Sequence, residues 1–202
     1  LHAENRETAE KAAEDAFEHV AALTSVFSDY EPYSELNRLN ATKPSVPFKA
    51  SPELLDIVTR SLEISKLTDG AFDITCGNVT RLWRSMKNRK QLPPPDRLAT
   101  AKAAMDWKAV KVDAQASTIT LTKPGMLLDL GGIAKGFAVD RAAAAMLTTG
   151  ATDGMVNAGG DLRVFGSTEE AIYLRNPANP EQLRFAGHLR DGACATSATY
   201  YS

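Results

Sequence analysis

The chain has 202 residues, 44% of them apolar, with 23 Lys and Arg against 25 Asp and Glu and a formal net charge of -2. That length and apolar share suit a folded globule and exclude disorder as the default, while the balanced charge excludes a global positive field that would hold nucleic acid or an anionic membrane. No apolar run approaches the roughly 18 residues of a membrane span, and the first residues lack the basic and apolar regions of a signal peptide, which leaves export open.

Ala9, Ala13, Ala16, Val20, Leu23 and Phe27 recur at three- and four-residue steps, which predicts a first helix with one apolar stripe. Its small alanines imply close packing. A polar, turn-rich passage from Ser28 to Asn40 follows, and Ser51-Pro52-Glu53 then opens a second helix with an N-cap serine and proline at the first helical position, ending near Gly70. Ala71 to Thr75 reads as a short extended piece, the stretch around Leu82-Trp83 has no clear pattern, and Pro93-Pro94-Pro95 is expected in an exposed loop because it cannot be helix interior.

Leu98 to Met105 reads as a short helix, and Val110-Lys111-Val112 with Ile119 to Thr122 as a hairpin turning in Asp113 to Ser117. Met126 to Leu130 is expected as a buried strand running into Gly131-Gly132. The helix after it carries Ile133, Phe137, Ala138, Ala142 and Met146 on its apolar face and closes at Gly150. Strands are expected at Met155–Asn157, Leu162–Phe165, Ala171–Leu174 and Arg184–Leu189. Helices first and strands later predict an α+β domain, residues 1–202, with N-terminal helices packed on a mixed, largely antiparallel sheet.

Four segments carry chemistry. In Asp129-Leu130-Gly131-Gly132-Ile133-Ala134-Lys135-Gly136 a carboxylate ends the buried run, paired glycines let backbone approach a ligand, and helix N–H groups aim outward, a seat for phosphate or simply a packing turn. The spacing matches neither the dinucleotide fingerprint nor the P-loop. Asn157-Ala158-Gly159-Gly160-Asp161 repeats the pattern; alone it reads as a hairpin turn, but two glycine pairs with acidic neighbours could converge on one ligand. In Thr68-Asp69-Gly70-Ala71-Phe72-Asp73-Ile74-Thr75 the aromatic Phe72 reads first as core, whereas Asp73 between apolar neighbours must face solvent or find a specific hydrogen bond. Tyr30, in Phe27 to Asn40, offers either an aromatic platform for a flat ring or an ordinary surface tyrosine. Cys76 and Cys194 are too few for a zinc site and read as small buried thiols, and His2, His19 and His188 read as surface or structural.

Together, SDYEPYSELNRLN, TDGAFDITCG, LDLGGIAKGFAVDRAA, VNAGGDLRVFG and the weaker ATS at 195–197 resemble, in this order, the ApbE family of FAD:protein FMN transferases. The resemblance implies an enzyme that binds FAD, moves FMN to a Thr or Ser hydroxyl of a target flavoprotein with magnesium, and releases AMP. It implies a periplasmic or inner-membrane-anchored bacterial protein, the anchoring belonging to the full-length protein. Carried over by motif position, Tyr30 contacts the flavin, Ala71, Phe72 and Asp73 line the nucleotide site, and Asp129 and Lys135 flank FAD. Asn157 and Gly159 join them at the second corner, and the Gly132 carbonyl is a magnesium ligand.

The resemblance also implies a flavin-pocket strand before the first helix, and a His-containing stretch with an Asp/Thr pair for the metal after 195–197. The chain is therefore expected to be incomplete at both ends, with its catalytic residues unassigned and catalysis by it alone in doubt. Tyr33 stands where a small acidic or amide residue is usual, and Ala198-Thr199 where Gly-Asp is usual. A non-catalytic FAD-binding module and an FAD pyrophosphatase remain as alternatives, and a nicotinamide oxidoreductase is disfavoured because no strand is followed by the required glycine spacing.

Overall fold

The computed structural model describes residues 1–87 and 91–197. Its elements run β1 (His2–Ala3), α1 (Arg6–Phe27), α2 (Glu35–Asn40), β2 (Phe48–Lys49), α3 (Pro52–Leu67), α4 (Gly77–Lys87), α5 (Pro95–Ala103), β3 (Val110–Asp113), β4 (Thr118–Leu121), α6 (Ala134–Thr148), β5 (Ala151–Ala158), β6 (Asp161–Asn176) and β7 (Asn179–Ala195). The described strands form two antiparallel sheets, ordered β1-β5-β6-β7 and β2-β4-β3. The fold is α+β, as the order of patterns predicted. Packing divides the chain into two compact units: Leu1–Ala22 with Lys135–Ser202, called here the sheet unit, and Leu23–Ala134, the helical unit.

The sheet unit packs alanines of two helices against a sheet. Ala12 and Ala16 of α1 meet Ala142, Ala143 and Met146 of α6, with Ala151 and Phe165 from the strands. Small side chains let the backbones approach, and the Thr149 hydroxyl donates to Asp15 Oδ2 at 2.7 Å to tie the end of α6 to α1. Val20, expected on the apolar stripe, is exposed.

Leu162–Phe165 and Ala171–Leu174, expected as separate strands, belong to the single strand β6, whose pairing with β7 shifts register between Val164 and Glu169. Asp153 explains where the interruption falls. Its Oδ1 accepts from the Ser167 and Thr168 amides at 2.6 and 2.8 Å and from both hydroxyls at 3.0 Å. The Thr168 amide first, then the Ser167 hydroxyl, hold its carboxyl well below the usual carboxylate range. Beyond the last β5 partner, β6 and β7 continue as a two-stranded ribbon in which Phe185 packs edge-on against Tyr173 and His188, with ring centroids 5.7 and 5.0 Å apart.

The helical unit has a core of Leu36, Leu39, Leu54, Ile57, Val58, Ile74, Ile119, Leu128 and Leu130. α3 starts as its sequence demands, with the Ser51 hydroxyl accepting from Leu54 N and Pro52 in the first turn. Part of the passage expected only to turn is the helix α2, capped by the Ser34 hydroxyl accepting from Asn37 N. The patternless stretch around Leu82-Trp83 is the helix α4. Pro95 opens α5; Pro94 is exposed as expected of that loop, whereas Pro93 is buried.

Two expected extended pieces are not strands. Residues 71–75 are bends and turns, and 126–130 is buried but joins no ladder beyond one parallel bridge between Cys76 and Leu127. The reason lies in where the backbone bonds go. Asn40 takes both sides of Leu128, donating to its carbonyl at 3.0 Å and accepting from its amide at 2.8 Å, while Asp129 N donates to Ile74 O and Gly77 N to Leu127 O. A side chain thus substitutes for a neighbouring strand.

Candidate functional site

In the helical unit the site is built around one buried carboxylate. Asp129, 6% exposed, ends the buried run that Asn40 and Ile74 hold in place. Its Oδ1 accepts from Gly131 N at 2.7 Å, and its Oδ2 accepts from the Thr80 hydroxyl at 2.6 Å and from the Arg84 guanidinium at 3.2 Å. Thr80 and Arg84, four apart in α4, reach the same acid from one helix face. A buried carboxylate is tolerable only when paired and hydrogen-bonded in this way.

The glycines at this corner are there for room. A Cβ on Gly131 would lie 3.0 Å from Asp129 Oδ1, and one on Gly132 3.3 Å from the Phe72 ring. The outward-facing amides expected here are partly engaged within the turn. Gly131 N is taken by Asp129, and Ile133 N and Ala134 N donate to Leu130 O, because an aspartate two residues before a glycine turn closes onto it.

Arg84 also pairs with Asp29, a residue before Tyr30, and its guanidinium carbon lies 4.8 Å from the centre of the Tyr30 ring. Asp29 first, then Asp129 and Tyr30, raise the guanidinium pKa above its ordinary value, so the group is a fixed cation. The loop carrying Tyr30 is held from within. Ser28 Oγ accepts from the Tyr30 and Glu31 amides, and Asn37 Nδ2 donates to the carbonyls of Asp29 and Glu31 at 3.2 and 2.8 Å. Tyr30 itself is 75% exposed, and so is an aromatic surface with a cation on one face.

Asp73 is half-buried, and its Oδ1 accepts from the amide and the hydroxyl of Thr75 at 2.8 and 2.6 Å, the specific partner its apolar neighbours required. Thr75 is fully buried and also accepts from Asp106 N at 2.9 Å. Phe72 is half-buried, not core, and Ala71 is exposed beside it. Burial, followed by the charges of Asp129 and Asp73, pushes the Cys76 thiol up to about 11. Both cysteines are free and half-buried, where full burial was expected.

In the sheet unit the second corner is a two-residue hairpin turn. Ala158 pairs with Asp161 across Gly159-Gly160, whose φ of 66 and 104° are open to glycine at little cost. Asn157 Oδ1 accepts from Gly160 N at 3.0 Å, and Thr196 N donates to Gly160 O at 3.1 Å. Lys135, in the first turn of α6, pairs with Asp161 at 3.3 Å, so the lysine of the first glycine segment sits at the second glycine turn.

Among the described residues no group of three His, Cys, Asp or Glu side chains could hold a metal ion. Both Asp129 oxygens are engaged, and the Gly132 carbonyl is a single donor where magnesium takes about six ligands. By themselves, Asp129 and the Gly132 carbonyl do not complete a magnesium site. His19 bonds the Asp15 carbonyl and His188 packs on Phe185, in keeping with structural roles.

A model of the ApbE family matches residues 2–202. The chain belongs to the ApbE family. It is 28% identical over 198 residues to an FAD:protein FMN transferase of Chlamydia muridarum, covering 97% of this chain and 60% of that protein. It is 34% identical over 184 residues to one of Salmonella typhimurium, covering 87% and 53%. The ApbE protein of Thermotoga maritima superposes with a TM-score of 0.84 at 29% identity, covering 93% of this chain and 62% of that one. The chain spans about half to three fifths of these relatives.

Within the ApbE segments, the structure brings Tyr30, Phe72, Asp73, Asp129 and Gly132 into one neighbourhood of the helical unit, through Arg84, the Asp129–Ile74 hydrogen bond and the Phe72 ring that a Cβ on Gly132 would meet. It brings Lys135 to Asp161 beside Asn157 and Gly159 in the sheet unit. Sequence reasoning missed Asp29, Asn37, Asn40, Thr80 and Arg84. A signal existed for the last two: Val79, Leu82 and Met86 recur at helical steps, which would have put Thr80 and Arg84 on a shared face. The Ala198-Thr199 departure lies outside the described residues.

Proposed function

We propose that this chain is the flavin-binding part of an FAD:protein FMN transferase, which binds FAD, moves FMN to a Thr or Ser hydroxyl of a target flavoprotein, and releases AMP. The observation that carries the reading is an exposed aromatic ring joined through a fixed cation to a buried carboxylate at a glycine corner. It is supported by the name that the curated relatives share.

In the reaction the target hydroxyl oxygen attacks the phosphorus nearer the flavin. The bond from that phosphorus to the bridging oxygen breaks, AMP leaves with the electron pair, and the hydroxyl proton passes to the AMP phosphate or to water. Protein groups contribute mainly position and charge to such a step. Tyr30 stacks the isoalloxazine, and Phe72 and Asp73 border the nucleotide, beside turn amides that Asp129 and Leu130 already engage. Magnesium belongs to the family reading, with the Gly132 carbonyl as one donor.

The test mixes the intact protein with FAD, magnesium and a candidate target flavoprotein. A mass gain equal to FMN on the target, abolished when its acceptor Thr or Ser is replaced by Ala, supports transfer. Free FMN and AMP without that gain would mean a pyrophosphatase, and reversible FAD binding alone a storage module. The reading also places the protein in the bacterial periplasm or on the inner membrane, which cell fractionation tests; no helix among the described residues is long and apolar enough to cross a membrane.

A further inference from the structure

Resting on the reading of Tyr30 as the ring platform, we propose that Arg84 is the positioning residue that sets the platform's orientation. The guanidinium covers one face of Tyr30 at 4.8 Å, and the residue as a whole stays 75% exposed, which leaves surface for a second flat group. The cation cannot drift, because Asp29 and Asp129 hold it from two sides and both carboxylates are more buried than the arginine. Asp129 is anchored in turn by Gly131 N and the Thr80 hydroxyl, and the Asp29 carbonyl by Asn37.

An exposed tyrosine loses rotational freedom when a ligand stacks on it, and a cation already seated on its other face removes part of that loss beforehand. Arg84 suits the task in a way lysine would not. Its planar guanidinium lies along a ring while donating to two carboxylates, whereas an ammonium is a compact, strongly hydrated point charge. The same side chain links the ring end of the site to the Asp129 corner, so the two are set by one residue of α4.

The experiment titrates this chain and its Arg84→Lys, Arg84→Met and Tyr30→Ala variants with riboflavin, and separately with AMP as the other half of the dinucleotide. Binding of the first is followed by quenching of flavin fluorescence, and fold integrity by the urea midpoint. Arg84→Lys keeps a charge for both acids, so it guards against simple misfolding. The proposal expects riboflavin Kd to rise about fivefold in both Arg84 variants, and at least as much in Tyr30→Ala, with weaker quenching and AMP affinity changed less than about twofold. Arg84 variants that bind riboflavin as the wild type does, while Tyr30→Ala loses it, overturn the Arg84 role and leave the ring platform standing. Equal loss of riboflavin and AMP, or a lowered urea midpoint in Arg84→Lys, makes Arg84 a general structural residue and also overturns the proposal. If Tyr30→Ala binds riboflavin unchanged, or the wild-type chain does not bind it, the platform reading fails and the Arg84 role fails with it.

Discussion

The two glycine corners look alike in sequence and are built on opposite principles. At Gly131-Gly132 neither residue has a positive φ, and the small residues make room for a carboxylate and an aromatic ring. At Gly159-Gly160 both φ values are positive, and the glycines serve the backbone of a tight turn. The acids differ in the same way. Asp129 is buried in a network of three donors, whereas Asp161 pairs with a lysine side chain that is 57% exposed. A pair of glycines beside an acid therefore has no single meaning; one corner is a packed electrostatic centre and the other a hinge of β-structure.

The contrast breaks first at the acids. Asp129→Ala is expected to cost about 3 kcal/mol in urea unfolding, because it strips a buried hub and leaves its donors unmatched. A loss below about 1 kcal/mol would reduce Asp129 to the rank of Asp161. Backbone strain gives the next effect. Gly160→Ala is expected to cost about 1–2 kcal/mol, since its Cβ meets a positive φ and lies 2.5 Å from Thr196 Oγ1, whose hydroxyl can partly yield. Gly132→Ala, with no such φ and a 3.3 Å approach to the Phe72 ring, should cost less than about 1 kcal/mol. The reverse order would mean that the first corner, not the second, is the strained one.

Cys76 sharpens the comparison as a reporter of the first corner. With its thiol pushed up to about 11 from an ordinary 9.0, roughly a hundredfold less thiolate is present near pH 8, and alkylation followed by mass spectrometry should be correspondingly slow. The folded state holds this proton more tightly than the unfolded state. Its contribution is thus complete below pH 9 and is lost as pH rises through about 11. Asp129→Asn removes one of the charges responsible, so it should speed alkylation; an unchanged rate would show that burial and Asp73, not Asp129, set the thiol. The smallest effect is expected of Asp161→Ala, about 0.5 kcal/mol or less, as befits a pair with an exposed lysine.

Much of the fold was legible because its signals are local. Ser51-Pro52 states a helix start, Asp113 to Ser117 a turn, and the apolar steps part of the packing faces: Ala16, Leu23 and Phe27 of α1 and Ala142 and Met146 of α6 are buried, whereas the core residue Ala12 fell outside the expected stripe. Elements that borrow their partners from afar were not. Met126 to Leu130 has a strand's composition, yet Asn40, 88 residues from Leu128 in sequence, satisfies its backbone. Ala171–Leu174 reads as a separate strand until Asp153 is seen gathering the Ser167 and Thr168 amides inside β6.

The candidate site divides along the same line. Residue types and their order along the chain determined by themselves which segments matter, since Tyr30, Phe72, Asp73, Asp129, Lys135, Asn157 and the two glycine pairs all stand in recognisable runs. Only the tertiary structure decided what each group does to its neighbours. It put Arg84 between Tyr30 and two acids, joined Thr80 to Asp129, and set Lys135 against Asp161. Sequence spacing governs contacts within a helix turn or a hairpin, whereas a charge pairs with whatever the folded chain brings within a few ångströms, and those partners lie tens of residues away.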